Sequence, residues 1–203
     1  MKKQIVTISR QFGSGGHSVG KALSEALGVP FYDQEIVERI CEESDMGIHP
    51  EDLEDHIAPA KRPFLYNFLG HDYRGMSLPD YLWSAQVKVI ESAADEGPCV
   101  IVGRCGDYIL RDNEEALHVF IHAPQQKREV RVVTRYGETE ENISKRVTDK
   151  DRKRAAHYEY YTGRKWGYAE NYHLSLDSSL IGIEDCVDII MTTLKKSADK
   201  VNF

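Results

Sequence analysis

The chain lacks the patterns that would mark a metal centre. Its four cysteines are Cys41, Cys99, Cys105 and Cys186. They form no C-x-x-C pair, and no Cys/His group has zinc-ligand spacing. Cys99 falls within an apolar run and reads as a small core residue. The expectation is a reduced, cytoplasmic protein with no structural metal. Eight histidines are present, but there is no H-E-x-x-H arrangement and no readable Ser–His–Asp constellation, so zinc hydrolases and serine hydrolases find no support. No apolar run approaches the length that spans a bilayer. The chain enters an apolar run at once, and no leader segment is expected. Basic residues are outnumbered, 26 Lys+Arg against 33 Asp+Glu, for a net charge of -7. That balance argues against a general nucleic-acid or membrane-surface binder. Internal repeats and low-complexity tracts are missing too, and nothing in the sequence speaks to oligomeric state.

What is present starts at residue 5. The β-branched run Ile5–Ser9 passes straight into Arg10-Gln-Phe-Gly13-Ser14-Gly15-Gly16-His17-Ser18, then into Val19, Ala22, Leu23, Ala26 and Leu27 at helical spacing. Strand, glycine-rich turn and helix together form a geometry that cradles phosphates. Small residues let backbone N–H groups close on an anion, and a helix N-terminus adds partial positive charge. Gly13, Ser14, Gly15, Gly16, His17 and Ser18 are therefore candidate phosphate-binding residues. The phosphate-loop pattern G-x-x-x-x-G-K-[ST] is met only in part. Aligned on Gly15, Arg10 stands in place of the first glycine, Gly16 in place of the lysine and His17 in place of the Ser/Thr, with Ser18 one position late. The plainer alternative is a tight turn whose glycines serve only its backbone angles.

Hydrophobic content of 41% and charged content of 29% fit one soluble core spanning residues 1–203. Five strands are predicted, at Ile5–Ser9, Val29–Tyr32, Cys99–Gly103, His118–His122 and Leu174–Asp177. Their short apolar runs suit strands buried on both faces. Helices are predicted at Ser18–Leu27, Tyr81–Asp95, Gln125–Tyr136, Glu140–Tyr161 and Ile183–Leu194. The third opens after Pro124, a favourable start. The alternation implies an α/β fold with a five-stranded, mainly parallel sheet. Residues 44–80, with Pro50, Pro59, Pro63 and Pro79 among aromatics, read as an irregular or helical insertion of the kind that forms lids and binding loops.

Ligands of open parallel sheets bind beyond the C-terminal strand ends, and polar groups converge there. The second strand is followed by Asp33, the third by Gly103-Arg104-Cys105-Gly106-Asp107, the fourth by His122 with Arg128 and Arg131 further on, and the fifth by Asp177-Ser178-Ser179. Arg104 emerges from a buried strand with a fork suited to phosphate or carboxylate; an ion pair with Asp33 or Asp107 is the alternative. The basic run 145–154 either projects arginines over a site or forms a solvated helix face.

These residues resemble the cytidylate kinase-like proteins, a branch of the P-loop nucleoside monophosphate kinases, over nearly the whole chain. The carriers are Ile8–Gly16, Pro30–Asp33, Val102–Cys105, Asp149–Arg154 with Tyr158–Gly163 and Trp166, and Tyr172–Ser179. The resemblance implies a three-layer P-loop fold with an acceptor-binding insertion (44–80) and a lid (137–168). It implies transfer of the ATP γ-phosphoryl, with Mg²⁺, to a nucleoside monophosphate such as CMP or dCMP. Asp33, Arg104 and Asp107 would then serve the acceptor. Arg152 and Arg154 would be lid arginines bridging donor and acceptor phosphates, and residues 177–179 would lie near the donor base. Authentic cytidylate kinases carry a loop lysine. With Gly16 in that place, Arg10 and Arg154 are the candidates to supply its charge, and the metal ligand is unknown. A non-catalytic nucleotide-binding protein, or a kinase for another small acceptor, remains the alternative.

Overall fold

The computed structural model describes residues 5–33, 36, 38, 39, 78–137 and 141–199. The insertion expected at 44–80 lies outside these residues up to position 77.

The elements run β1 (Ile5–Arg10), α1 (Gly16–Leu27), β2 (Phe31–Tyr32), α2 (Leu78–Glu96), β3 (Cys99–Val102), α3 (Gly106–Ile109) and β4 (Ala116–His122). They continue with α4 (Gln125–Tyr136), α5 (Ile143–Thr162), a 3-10 turn (Ala169–Asn171), β5 (Leu174–Asp177) and α6 (Ile183–Asp199). All strand pairs are parallel, in the order β2-β3-β1-β4-β5. The register pairs Ile8 with Val102 and Arg10 with Ile121. The five-stranded parallel α/β sheet expected from the sequence is thus present. Two boundaries shift in ways that matter. β1 extends through Arg10 because that residue completes the β4 ladder. α1 begins at Gly16 rather than Ser18, since Gly15 takes the left-handed cap position at φ +81°.

Strand alternation sends successive side chains to opposite faces. Val6, Ile8, Val100, Val102, Val119 and Ile121 meet α1 and α6 through Val19, Leu23, Val187 and Ile190. Ile5, Cys99 and Ile101 meet α2 through Leu82, Ala85, Val89 and Ile90. The sheet is therefore the middle of three layers. Because α1 leaves β1 on one face while the elements after β2 and β3 lie on the other, the chain's direction reverses beside β1. The crevice at a parallel sheet's carboxyl end opens at such a point.

A buried histidine gives this core a pH dependence. His118 is 5% exposed, bonds Thr7 Oγ1 through Nδ1 at 2.8 Å and stacks on His173 with ring centroids 4.9 Å apart. Burial, reinforced by His173, pulls its pKa down to about 4. The unfolded chain therefore takes up a proton between about pH 6.5 and 4 that the folded chain refuses, so stability falls as pH drops through that window. The expected loss is about 3 kcal/mol. Denaturant midpoints measured across pH 7 to 4 check it, and His118→Asn should flatten the dependence.

Candidate functional site

Three strand ends come together at the crevice. Arg10, the last residue of β1, reaches over the end of β3. A side-chain carbon at Gly103 would meet its guanidinium, a tip that can move, and it is the φ of +79° that calls for glycine there. Arg10 Nη2 pairs with Asp33 Oδ1 at 3.3 Å, just past β2, and His17 Nε2 approaches Asp33 Oδ2 at 3.6 Å. The His17 ring stands edge-on to Phe31, centroids 5.4 Å apart. Arg10, His17 and Asp33 thus form one cluster at the mouth of the glycine loop. Gly16 lies against Arg10 itself, because a Cβ there would overlap Arg10 Cβ. The position that a loop lysine would occupy is filled by the stem of an arginine.

The turn after β3 is strained. Gly103, Arg104 and Cys105 take three successive positive φ values, +79°, +54° and +53°. A left-handed non-glycine residue costs about 1–2 kcal/mol. Gln86 Nε2 holds the turn by donating to Arg104 O at 3.0 Å, and Gly106 N donates to Gly103 O at 3.0 Å. Strain of this kind clusters at active sites, ligand clamps and switch regions.

The loop between β1 and α1 is braced from outside. Phe12 N donates to Asp151 Oδ1 at 2.7 Å, while Arg128 Nη1 donates to Phe12 O at 2.9 Å and pairs with Asp151 Oδ2 at 2.6 Å. Arg154 Nη1 donates to Arg10 O at 3.0 Å, and its guanidinium lies 5.7 Å from the Phe12 ring centroid. Arg131 Nη1 and Ser178 Oγ both donate to Ser14 O, and Arg131 also reaches Ser178 Oγ at 3.2 Å. A Cβ at Gly15 would meet the Arg131 guanidinium, but it is the φ of +81° that calls for glycine there. Ser14 Oγ turns inward to Gln11 O at 2.9 Å. A helix's first N–H groups have no intrahelical acceptor. Among the described residues, no protein acceptor takes the N–H of Gly16, His17 or Ser18.

Two expected site residues go elsewhere. Asp107 is 3% exposed, and both its oxygens are engaged, by Ser9 Oγ at 2.9 Å and Tyr158 Oη at 2.7 Å. It ties β1 to α5 beneath the crevice and presents nothing to an acceptor. Burial pushes its pKa upward against those two hydrogen bonds, and burial together with the Asp107 charge pushes the Tyr158 hydroxyl up as well. Arg152 is 76% exposed beside Asp149 Oδ1 at 3.7 Å. Two residues along a helix is a turn of about 200°, so Arg152 and Arg154 cannot share a face. The docked face of α5 carries Val147, Asp151, Arg154, Tyr158 and Tyr161. Tyr161 donates to Pro79 O and stacks on Trp83 at 4.4 Å. This alternation of three and four was readable in the sequence, where the charge run obscured it. Sequence reasoning placed Arg128 and Arg131 beyond the fourth strand and Ser178 near the donor base, but it gave neither them nor Asp151 a part in bracing the loop. After β5, Asp177 accepts from Ser179 N and Oγ, and this lowers its pKa. A groove of about 420 Å³ opens beside Gln11, lined by Phe120, His122, Ser175 and Asp177 among others.

Among the described residues no three His, Cys, Asp or Glu are grouped to hold a metal ion, Cys99, Cys105 and Cys186 are free thiols, and no helix is long and apolar enough to cross a membrane.

The model of the cytidylate kinase-like family matches residues 5–180. An uncharacterized protein from Eubacterium ventriosum is 25% identical, with a TM-score of 0.70 over 95% of this chain and 99% of that one. Shikimate kinase from Bacteroides thetaiotaomicron is 14% identical, with a TM-score of 0.57 over 96% and 99%. Shikimate kinase from Acinetobacter baumannii, solved with shikimate, is 14% identical, with a TM-score of 0.53 over 96% and 94%. The P-loop kinase fold expected from the sequence is the fold these structures share. No curated protein matches the chain.

Proposed function

The chain belongs to the cytidylate kinase-like family, and from that premise we propose that it transfers the γ-phosphoryl of ATP to a nucleoside monophosphate such as CMP or dCMP. The observation that carries this reading is the pairing of two sites across β1. On one side the unpartnered N–H groups at the start of α1 offer an anion cradle. On the other, Arg10, Asp33 and the strained Arg104 turn gather at the ends of β1, β2 and β3. Donor phosphates would rest on residues 13–18, the helix terminus and loop amides favouring their charge. The acceptor phosphate would meet Arg104, and Asp33 would accept from the acceptor nucleoside once Arg10 turns toward phosphate. Phosphoryl transfer asks little covalent chemistry of the protein. It asks for in-line placement and neutral surroundings for the charge on the transferring group.

Mg²⁺ arriving with ATP would supply charge neutralisation between phosphates. At the loop mouth it would find the exposed Ser18 hydroxyl as a protein oxygen, with water and phosphate completing its shell. Asp33, already facing Arg10 and His17, does not suit a cation.

ADP formation from ATP and Mg²⁺ against a panel of nucleoside monophosphates tests the reading. Acceptor-dependent turnover is expected. Its absence with every monophosphate would turn the reading toward a nucleotide-binding protein without transfer, or toward another small acceptor. Within an active enzyme, Arg104→Ala should lower kcat/KM for the acceptor about 100-fold and leave the KM for ATP unchanged. Equal turnover in the variant would remove Arg104 from the site.

A further inference from the structure

Three alternating carbonyls of the loop, those of Arg10, Phe12 and Ser14, each accept from an arginine brought by α4 or α5: Arg154, Arg128 and Arg131 respectively. We propose that these arginines are positioning residues that hold the phosphate loop's peptides with their N–H groups facing the anion, and so take over collectively from the missing loop lysine. The inference deepens the phosphate-loop reading above and rests on it.

Peptide geometry supplies the reason. In a trans peptide the C=O and the following N–H point in opposite directions. Fixing Arg10 O on Arg154 turns Gln11 N onto Ile121 O at 3.0 Å, which ends the β1–β4 ladder cleanly. Fixing Phe12 O on Arg128 turns Gly13 N–H the other way, and fixing Ser14 O on Arg131 and Ser178 does the same for Gly15 N–H. Neither glycine amide has a protein acceptor among the described residues. Both glycines sit at positive φ, +75° and +81°, where a peptide flip meets little steric resistance. A flipped Ser14–Gly15 peptide would present a carbonyl oxygen to the phosphate instead of a donor. The arginines prevent this by binding the carbonyl from behind, and they add positive charge within a few ångströms of the loop.

The same contacts explain why these residues are arginines. Arg128 serves three partners at once, Ala123 O through Nε and both Phe12 O and Asp151 Oδ2 through Nη1. A lysine has no fixed fork with which to reach carbonyls on two sides. Ser178 is 1% exposed, and its hydroxyl lies between Arg131, Ser14 O and His122 O. The β5–α6 turn therefore takes part in the same latch. The basic run that looked like a set of transferring arginines acts, through Arg154, on the loop's backbone.

Pyrophosphate titration of the full chain labelled with ¹⁵N, read at the Gly13 and Gly15 amides, tests this without requiring catalysis. In the wild type both amide signals should move and saturate together. In Arg131→Ala, pyrophosphate should bind about tenfold more weakly, with the Gly15 signal losing its response while Gly13 keeps it. Ser178→Ala should show the same local loss in milder form, and Ser178→Thr, which retains the hydroxyl, should restore it. Melting temperatures of the Ser178 variants serve as the control for folding. Unchanged affinity and an unchanged Gly15 response in both Arg131→Ala and Ser178→Ala would overturn the inference, as would a wild type whose loop amides ignore pyrophosphate. Normal loop binding in a protein that forms no ADP would count against the kinase reading alone and leave the latch standing.

Discussion

Arg128→Ala is expected to destabilise the protein by about 3–5 kcal/mol, the range found when one member of a buried ion pair is removed. The side chains of Arg128 and Asp151 are 7% and 16% exposed, and their contact is 2.6 Å. Truncating the arginine leaves a largely buried carboxylate with, among the described residues, only Phe12 N for a partner and deprives Phe12 O and Ala123 O of their donor. In a chain of this length each kcal/mol moves the melting temperature by about 2–4 °C, so a fall of about 10 °C should be seen. The same pair should resist apolar replacement. Buried pairs elsewhere can be exchanged for hydrocarbon at little cost, but here Arg128→Met with Asp151→Leu would orphan both polar groups of Phe12, at about 1–3 kcal/mol each. Thermal and denaturant melts of the single and double variants decide the matter. If Arg128→Ala melts within about 1–2 °C of wild type, the brace is not a structural one.

The second large effect concerns an attempted repair. Gly16→Lys restores the lysine of the phosphate-loop pattern, yet it should cost stability and turnover. A Cβ at position 16 overlaps Arg10 Cβ, lies 2.9 Å from Arg10 Cγ and 3.4 Å from Ile121 Cβ. These are atoms near the backbone of a central strand and cannot swing aside as a side-chain tip would. Overpacking of this kind costs about 1–3 kcal/mol, and a loop displaced by about 1 Å can lose about 100-fold in rate. The remedy is in the other partner. Arg10→Gly with Gly16→Lys removes the obstruction, and the pair should show a favourable coupling of about 2 kcal/mol in a double-mutant cycle of stability. A gain in stability or turnover from Gly16→Lys alone would refute the idea that Arg10 and Gly16 exclude a lysine here.

The fold was legible in the sequence because its strands are short apolar runs punctuated by loops. Leu174–Asp177 and Gln125–Tyr136 have the boundaries that the pattern predicts. Pro124 and Gly137 mark the ends of α4 by local chemistry alone. Leu78–Glu96 begins three residues before the predicted Tyr81, because Pro79 is acceptable in a helix's first turn. The convergence of Arg10, Asp33 and His17 came from strand order, since residues just past the ends of parallel strands must gather at one edge. Asp107 misled for the opposite reason. It stands at a strand end like the others, but the helical turn at Gly106–Ile109 buries its side chain beneath the sheet edge. Asp151 and Arg128 were illegible because an ionic residue within a charge run reads as solvated. Phe12 N, the group that draws Asp151 inward, is 139 residues away in sequence. Local pattern carries no information about a partner at that distance.

The loop's bracing has a consequence for how the protein comes into being. Residues 10–14 leave the ribosome well before the residues that brace them, since chains are delivered from the N-terminus. Yet the partners that fix them, Arg128, Arg131, Asp151, Arg154 and Ser178, are made long afterward. A nascent chain stopped before residue 128 holds β1 and the glycines but nothing to orient their peptides, so water must serve in place of the arginines. The loop is thus synthesised before its braces and completed only with them. Under the proposed reading, capture of a phosphate-bearing ligand would be acquired only when β5 and its turn have emerged and closed the far edge of the sheet.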